Sequence, residues 1–171
     1  MFVKTDLEPY CIEDKHMTFL KTIFGNLCLI APIVAWCLAQ LLKFILDALN
    51  NGKFTGERLW GSGGMPSAHS ATVCALTATV GITCGAGSAE FAMAVIFSII
   101  VMFDAFGVRK ETGRHARFLN QLTDERKEEG REPLEKEHYH EQVGHTLPQV
   151  IVGGVLGLVV AFVMAWIWGA L

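Results

Sequence analysis

The run from Val150 to Leu171 contains 22 consecutive residues without an Asp, Glu, Lys or Arg. A bilayer core of about 30 Å is crossed by a helix of roughly 20 apolar residues, so this run predicts a transmembrane helix. Trp166 and Trp168 are typical of a membrane interface. Gly153 and Gly157 lie four residues apart, a spacing that predicts close approach by another helix.

Three further charge-free runs approach spanning length, namely Phe24 to Leu42, Ser70 to Ser88 and Phe91 to Phe103. The last is short and spans only if Glu90 and Asp104 lie at the two interfaces. The run from 70 to 88 is rich in Ala, Thr and Gly, so we expect it to pack against protein rather than lipid. The sequence therefore predicts an all-α integral membrane bundle of about four transmembrane helices, surrounded by membrane lipid.

Charged residues are concentrated in one segment, because 17 of them lie between Gly107 and Glu141, while 51% of the whole chain is hydrophobic. This pattern excludes intrinsic disorder, and the net charge of -3 does not favour nucleic acid as a partner. We predict a single membrane domain over residues 1–171, with a polar tail at 1–18 and a charged helical insert at 107–142. The 5 cysteines form no CxxC pair and predict no disulfide framework.

The positive-inside rule predicts the orientation of this bundle. With four spans, segments 47–64 and 107–142 share one side and hold 10 of the 14 Lys and Arg residues, against 3 on the other side. Both segments are therefore expected to face the cytoplasm, or the stroma of a plastid. The predicted location is a bacterial cytoplasmic membrane or a plastid membrane.

Several chemically active residues fall at span ends that reach this same side. Lys43 ends the first span, Ser67 and His69 precede the second, Asp104 ends the third, and His145 precedes the fourth. Unrelated polar residues would rarely share one side by chance. The topology therefore predicts one assembled site.

A glycine-rich turn, G-G-M-P-S-A-H-S at 63–70, leads into the second span. Gly64 lets backbone N–H groups approach a ligand, and Ser67 is suited to cap the helix. A helix start of this kind favours an anion such as phosphate, and His69 could donate a proton to a phosphate ester oxygen. The alternative is a capped loop-to-helix junction without a further role.

The segment G-H-T-L-P-Q at 144–149 is a second such junction. If the helix starts at His145, then Gln149 lies beneath the imidazole and accepts a hydrogen bond from Nδ1. Leu147 precedes a proline and is biased away from helix, which opposes this geometry. The alternative is a surface histidine, but the pairing with His69 on one side favours a site.

An acid and two cations follow the third span. Charges near the bilayer are costly and tend to be paired or functional. Arg109 or Lys110 could bind phosphate oxygens, with Asp104 orienting one of them or a histidine. The alternative is a stop-transfer flank with snorkelling cations. Lys110 is expected to snorkel to the interface, and Lys43 either snorkels or binds phosphate.

The insert shows a narrow apolar stripe of Ala116, Leu119 and Leu122. This pattern predicts a solvated surface helix, or a pair of helices, lying over the site. The histidines of the insert have no cysteine partner and no H-x-x-x-H spacing, so we predict no metal and no cofactor.

Three motifs resemble the divergent branch of the type 2 phosphatidic acid phosphatase superfamily, which includes lipid phosphate phosphatases, bacterial acid phosphatases and vanadium-dependent haloperoxidases. They are G-G-M-P-S-A-H-S-A at 63–71, F-D-A-x-G-V-R-x-x-x-G at 103–113 with L-N at 119–120, and G-H-T-x-x-Q-V at 144–150. The resemblance covers the chain from about Gln40 to Gly157. It implies that Ser67 contacts phosphate, His69 is the general acid and His145 attacks phosphorus to form a phosphohistidine.

Two departures from the family pattern affect the implied chemistry. Gln149 stands where the family has the orienting aspartate, and Tyr139 stands where an arginine is expected. Lys43 and Arg58 would replace the lysine and arginine of the first motif, although the K-x6-R-P spacing is absent. Arg109 would then complete the phosphate clamp.

Three functions remain open from the sequence. The first is a phosphatase acting on a lipid or isoprenoid phosphate at the cytoplasmic leaflet, and the second is a non-catalytic phosphate-headgroup binder related to transport. The third is a purely structural membrane protein, against which the clustering of His69, Asp104 and His145 argues. The superfamily usually has six helices, which leaves open a homo-oligomer or a partner chain.

Overall fold

Six helices make up the part of the chain that the computed structural model describes, which is residues 12–51, 64–133, 138–141 and 143–171. They are α1 (Ile12–Gly25), α2 (Leu27–Asn51), α3 (Ala68–Cys84), α4 (Ala89–Phe106), α5 (Val108–Glu128) and α6 (Leu147–Ile167). Within these ranges no residue is in a β-strand, and the predicted all-α membrane bundle is confirmed. The predicted polar tail is partly helical, because α1 already begins at Ile12.

Three stretches of the described helices are long and apolar enough to cross a bilayer. They are Leu27–Leu49 in α2, the run Ala89–Glu128 that comprises α4 and α5, and Leu147–Ile167, which is α6. Helix α3 has only 17 residues, which is about 25 Å and less than a bilayer core of about 30 Å. It stops before Gly85, whose φ of 86° favours glycine, and does not continue to Ser88 as predicted. Of the four predicted spans, those in α2, α4 and α6 are therefore long enough to cross a bilayer, while α3 is shorter than a full span.

Helix α2 extends beyond the predicted first span. The charge-free run ends at Leu42, yet the helix continues to Asn51 because apolar residues resume after Lys43 and a single lysine is a good helix former. Contrary to the prediction, Lys43 lies inside the helix rather than at its end. Its side chain is only 7% exposed.

Small residues let α3 pack closely against its neighbours. Helix α3 contacts α2, α4 and α6, and its buried residues include Ala71 and Ala75. A Cβ atom at Gly153 of α6 would overlap the carbonyl oxygen of Ser67, and one at Gly157 would overlap that of Ala71. These two glycines allow backbone contact between α6 and α3, which confirms the close approach predicted from their spacing.

Helices α3 and α4 are joined by hydroxyl groups. The Thr77 and Ser98 hydroxyls are 2.6 Å apart, and the Ser98 hydroxyl donates to the Val73 carbonyl at 3.0 Å. The outer side of α4 is apolar, with Ile100 and Phe103 each 61% exposed. Exposed apolar side chains on a helix of spanning length indicate contact with lipid, so α4 has one side toward protein and one toward lipid.

The starts of α3 and α6 meet at one end of the bundle. The Ser67 N–H donates to the Gln149 carbonyl at 3.1 Å, which joins the two helix starts directly. At the opposite end, the first residues of α2 pack against the last residues of α6. Helices α3 and α6 therefore run parallel to each other and antiparallel to α2. We call the end that holds His69 and His145 the histidine end.

Helix α5 follows α4 after Gly107 and carries much of the charge of the insert. Among the described helices it contacts only α4, so the predicted position over the site applies only to its first turn, where Arg109 lies near His145. Of the predicted stripe, Ala116 is buried, but Leu119 is 39% exposed. The buried residues of α5 are Gly113, Ala116, Asn120 and Thr123. They are small or polar because residues 138–141 and 143–144 return along this side of the helix.

Candidate functional site

Two histidines at the starts of parallel helices lie side by side. His69 is in the first turn of α3, and His145 lies two residues before α6 begins at Leu147. Their ring centroids are 5.9 Å apart and the ring planes are inclined by 80°. A phosphate that lies within about 3 Å of both rings requires a separation below about 10 Å, and this pair meets that requirement.

His145 is buried without a hydrogen bond to its ring. It is 2% exposed, and within the described part of the chain neither Nδ1 nor Nε2 has a hydrogen-bond partner. The Nδ1 atom of His69 is also buried and unpartnered there. Buried polar atoms normally have a partner, and leaving one unpaired costs about 1–3 kcal/mol. The hydrogen-bonding capacity of these nitrogens is therefore not used by any described residue.

Burial and nearby positive charge keep the imidazole of His145 neutral. Burial has the largest effect on its pKa, and His69, Lys43 and Arg109 add to it, so that the pKa falls to about 4. At neutral pH such an imidazole holds an unprotonated nitrogen. This is the form that acts as a nucleophile.

The backbone at His145 is fixed by contacts with α4 and α5. The His145 N–H donates to the Ala105 carbonyl, in the last turn of α4, at 2.9 Å. Gly144 has a φ of 96°, and a Cβ atom there would overlap the backbone of Lys110. Only glycine satisfies both constraints. The glycine of the G-H-T motif and the alanine of the F-D-A motif are the sequence signals for these contacts.

Gln149 joins the two helix starts but does not hold His145. Its carbonyl accepts from the Ser67 N–H at 3.1 Å, and its side-chain Oε1 accepts from the Thr146 N–H at 2.9 Å. The predicted hydrogen bond from His145 Nδ1 to Gln149 is not formed, because α6 begins only at Leu147. The proline after Leu147 explains the late start, and Gln149 instead makes the reach-back bond of a capping box.

Ser67 caps α3 as its position predicts. Its Oγ accepts hydrogen bonds from the Ser70 N–H at 3.3 Å and from the Ser70 hydroxyl at 3.0 Å. The side chain is fully buried. Neither bond uses the hydroxyl hydrogen of Ser67, so capping is compatible with donation to an anion.

Two cations bring positive charge to the histidine end. The Nε atom of Arg109 donates to Oδ2 of Asp104, and both side chains are 40% exposed. The stem of Lys43 passes Gly64, where a Cβ atom would lie 3.3 Å from Lys43 Cγ. Both cations act on the pKa of His145, so they lie close enough to affect a charged ligand there.

Most of the predicted site residues come together at the histidine end. They are Gly64, Ser67, His69, Lys43, Asp104, Arg109, His145 and Gln149. Arg58, the predicted second arginine, lies outside the described residues. Tyr139 pairs with Asn120 instead of facing the histidines. The sequence assigns no role to Asn120, although the L-N motif at 119–120 marks its position.

The structure, over the ranges that it describes, contains no cluster of three or more side chains that could hold a metal ion.

An apolar groove of about 310 Å³ lies between α2 and α3. Pro32 and Trp36 are among its lining residues on α2, and Thr72 and Leu76 line it on α3. Thr72 and Leu76 follow His69 at i+3 and i+7, so all three share one side of the helix. The Thr72 hydroxyl donates to a carbonyl within its own helix at 2.8 Å, which leaves the groove surface apolar.

These features define a helical membrane protein in which two histidines and two cations converge at the starts of two parallel helices. The chain matches the model of the divergent PAP2 family over residues 24–160, and it belongs to that family. The family predicted from the three motifs is thereby confirmed.

The chain is also similar to a bacterial membrane protein. It is 33% identical over 155 residues to the uncharacterized membrane protein YuiD of Bacillus subtilis (strain 168), an alignment that covers 84% of this chain and 97% of YuiD. No solved structure matches the chain.

Proposed function

We propose that this protein is a membrane phosphatase that hydrolyses a lipid or isoprenoid phosphate, either a monoester or a diphosphate, through a phosphohistidine on His145. The observation that carries the proposal is the pair of rings 5.9 Å apart at two helix starts, with buried nitrogens that have no partner among the described residues. The separation of the rings is short enough for one phosphate group placed beside both to lie within hydrogen-bonding distance of each. Membership of the divergent PAP2 family supports phosphate as the ligand.

The reaction proceeds in two displacements at phosphorus. First, an unprotonated nitrogen of His145 bonds to phosphorus, the P–O bond to the leaving group breaks, and His69 donates a proton to the leaving oxygen. The negative charge of the bound phosphate favours the protonated form of His69 that this step needs. His69 then takes a proton from a water molecule whose oxygen attacks phosphorus, the P–N bond breaks, and inorganic phosphate leaves. The lowered pKa of His145 supports its role, because a neutral imidazole is nucleophilic.

Cations and N–H groups offset the charge that develops on the phosphate oxygens. The bond to Asp104 through Nε holds the guanidinium of Arg109 in place, while its other N–H groups can donate to phosphate. Lys43 adds positive charge from α2. The first N–H groups of α3 and the Ser67 hydroxyl provide neutral donors. Arg58 is proposed as a further phosphate ligand from the segment outside the described residues.

The apolar groove supports a lipid substrate rather than a soluble one. Its lining residues on α2 lie within Leu27–Leu49, a stretch long and apolar enough to span the membrane. A hydrocarbon chain along Leu76 and Thr72 would place its phosphate beside His69, because the three residues share one side of α3. Each CH₂ group buried there contributes about 0.8 kcal/mol to binding.

The distribution of Lys and Arg supports a site at the cytoplasmic leaflet. Helix α5 begins at the histidine end, because Arg109 in its first turn contacts Asp104. Gly64, the last residue of segment 47–64, and Arg109, near the start of segment 107–142, lie at this end, and the two segments together hold 10 of the 14 Lys and Arg residues. The positive-inside rule then assigns the site to the cytoplasmic side, or to the stroma in a plastid.

One observation favours a second function, the binding of a phosphate headgroup without turnover. No carboxylate among the described residues accepts a hydrogen bond from His145, and Gln149 caps α6 instead. In serine proteases, replacement of the aspartate that orients the histidine lowers kcat roughly ten-thousand-fold. A site without an orienting acid would bind phosphate and turn it over slowly or not at all.

Phosphate release from purified protein in detergent distinguishes the two functions. The substrates are phosphatidic acid, phosphatidylglycerol phosphate and prenyl diphosphates. The variants are His145→Gln and His69→Gln, with His115→Gln as a matched control because His115 is an exposed histidine of α5. We expect the wild type and the control to release phosphate, and His145→Gln and His69→Gln to be slower by at least about 10²-fold.

Binding of phosphatidic acid vesicles without release of phosphate from any substrate would support the non-catalytic binder instead. Undiminished release by His145→Gln would contradict the phosphohistidine.

A further inference from the structure

Asn120 is a buried amide in a helix that is mostly charged and exposed. Its side chain is 6% exposed and pairs with the backbone of Tyr139. Oδ1 accepts from the Tyr139 N–H at 2.9 Å, and Nδ2 donates to the Tyr139 carbonyl at 3.0 Å. Nδ2 also donates to Glu141 Oε1 at 3.0 Å, and Glu141 Oε2 accepts from Arg117 at 3.0 Å. The Asn120 amide thus pairs with both backbone groups of Tyr139, as a residue of a neighbouring β-strand does. This pairing determines which residue of the returning chain lies opposite Asn120.

The segment that Asn120 binds leads directly to His145. A Cβ atom at Gly113 would lie 2.9 Å from the Val143 carbonyl oxygen, so the returning chain touches α5 between its two ends. The His145 N–H then bonds to Ala105 of α4. A fully extended chain advances about 3.4 Å per residue, so a slip of one residue at Tyr139 would move His145 by up to about that distance.

We propose that Asn120 is a positioning residue that sets the register of residues 138–141 and 143–144 on α5 and thereby holds His145 beside His69. Catalytic groups must lie within about 0.5 Å of their productive positions, which is far less than the shift that a one-residue slip produces. The expected effect of Asn120 on kcat rests on the proposed function. Its effect on the position of His145 can be measured without a substrate.

Asn120→Asp tests this role with a minimal change of shape. The variant keeps an acceptor for the Tyr139 N–H, but a carboxylate oxygen replaces the donor to the Tyr139 carbonyl and to Glu141. Gln121→Glu is the matched control, because it makes the same amide-to-acid change at the next, exposed residue. A misplacement of about 1 Å costs about 10²-fold in rate, so we expect kcat of Asn120→Asp to fall by about that factor. We expect its KM, and both constants of Gln121→Glu, to stay within about twofold of the wild type.

The pH profile of Asn120→Asp separates positioning from a general loss of structure. The charged groups nearest the introduced carboxyl are Glu141 and Arg117. Asp124, one turn further along α5, pairs with His138 of the returning chain. The Glu141 carboxylate raises the pKa of the introduced carboxyl, and the protonated form regains a donor. Lowering the pH from about 8 to about 5.5 should therefore increase kcat of the variant relative to the wild type. A reduced kcat without this recovery would overturn the proposal.

Acylation by diethyl pyrocarbonate reports the position of His145 without a substrate. The reagent acylates neutral imidazole nitrogens, His145 is 2% exposed, and the exposed His115 serves as an internal reference. Peptide mass spectrometry should show the ratio of His145 to His115 acylation rising at least about fivefold in Asn120→Asp, because the released segment opens locally. The ratio should not change in Gln121→Glu.

These measurements separate failure of the inference from failure of the proposed function. A wild type that releases no phosphate ends the phosphatase proposal, while the acylation ratio still decides the role of Asn120. A wild-type ratio in Asn120→Asp would overturn that role. If this variant does not fold, Glu141→Ala removes one bond of Asn120 at a half-exposed position. An acylation ratio at least about twofold above the wild type would then support the proposal, and an unchanged ratio would overturn it.

Discussion

Replacing Gly153 by alanine tests how closely the two helices that carry the histidines must pack. The new Cβ atom would overlap the Ser67 carbonyl oxygen and lie 3.0 Å from the Ser67 nitrogen, where ordinary contacts are about 3.4–4 Å. Helix α6 must therefore move away by roughly 1 Å, which breaks the 3.1 Å bond from the Ser67 N–H to the Gln149 carbonyl. Overpacking costs about 1–3 kcal/mol and the lost bond about 1 kcal/mol. We expect the free energy of unfolding to fall by about 2–4 kcal/mol.

Gly154→Ala is the matched control for this substitution. A Cβ atom at Gly154 meets only the Cys74 sulfur, at 3.3 Å, and that side chain can move aside. Unfolding of both variants in one detergent should show a loss below about 1 kcal/mol for Gly154→Ala. Because His69 and His145 lie on the helices that separate, Gly153→Ala should also lower kcat for phosphate release. Equal stability of the two variants, or full activity of Gly153→Ala, would refute the reasoning.

Other contacts lead to three further predictions. The pKa of His145 is lowered from 6.5 to about 4 in the folded state, so the unfolded state binds more protons and stability is lost as the pH falls from about 6.5 toward 4. Unfolding titrations should show a loss of up to about 3 kcal/mol over this window in the wild type and a smaller loss in His145→Gln. Leu76→Trp fills the apolar groove and should lower kcat/KM for a long-chain phosphate ester at least about tenfold, while a short-chain soluble ester stays within about twofold. Ser98→Ala removes one of the three partners of the Thr77 hydroxyl, so unfolding measurements should show a loss of about 0.6 kcal/mol and a smaller effect of Thr77→Val in that background than in the wild type.

The helices could be predicted from the sequence because their signal is local. The run Phe91 to Phe103, the shortest of the predicted spans, lies inside α4 (Ala89–Phe106). The extent of α2 could not be predicted from charge alone, since burial of Lys43 among other helices depends on tertiary packing. The early end of α3 follows from the positive φ of Gly85, and a glycine in an apolar run does not by itself reveal its conformation.

The grouping of His69 and His145 at one end follows from the span count, because the start of every second helix reaches the same side. Their hydrogen bonds could not be predicted, since the start of α6 at Leu147 rather than at His145 determines what Gln149 can reach. The role of Asn120 depends on contacts with a segment 19 residues away in the chain. No periodic pattern in the sequence encodes such a contact.

Transfer of labelled phosphate to His145 tests the proposed mechanism most directly. Protein mixed with a lipid phosphate carrying radiolabelled phosphorus is quenched during turnover, digested, and the labelled peptide is identified. We expect the wild type to carry an acid-labile, alkali-stable label on the peptide that contains His145, and His145→Gln to carry none. Phosphate release by the wild type without label on His145, or with the label on another residue, would contradict the mechanism.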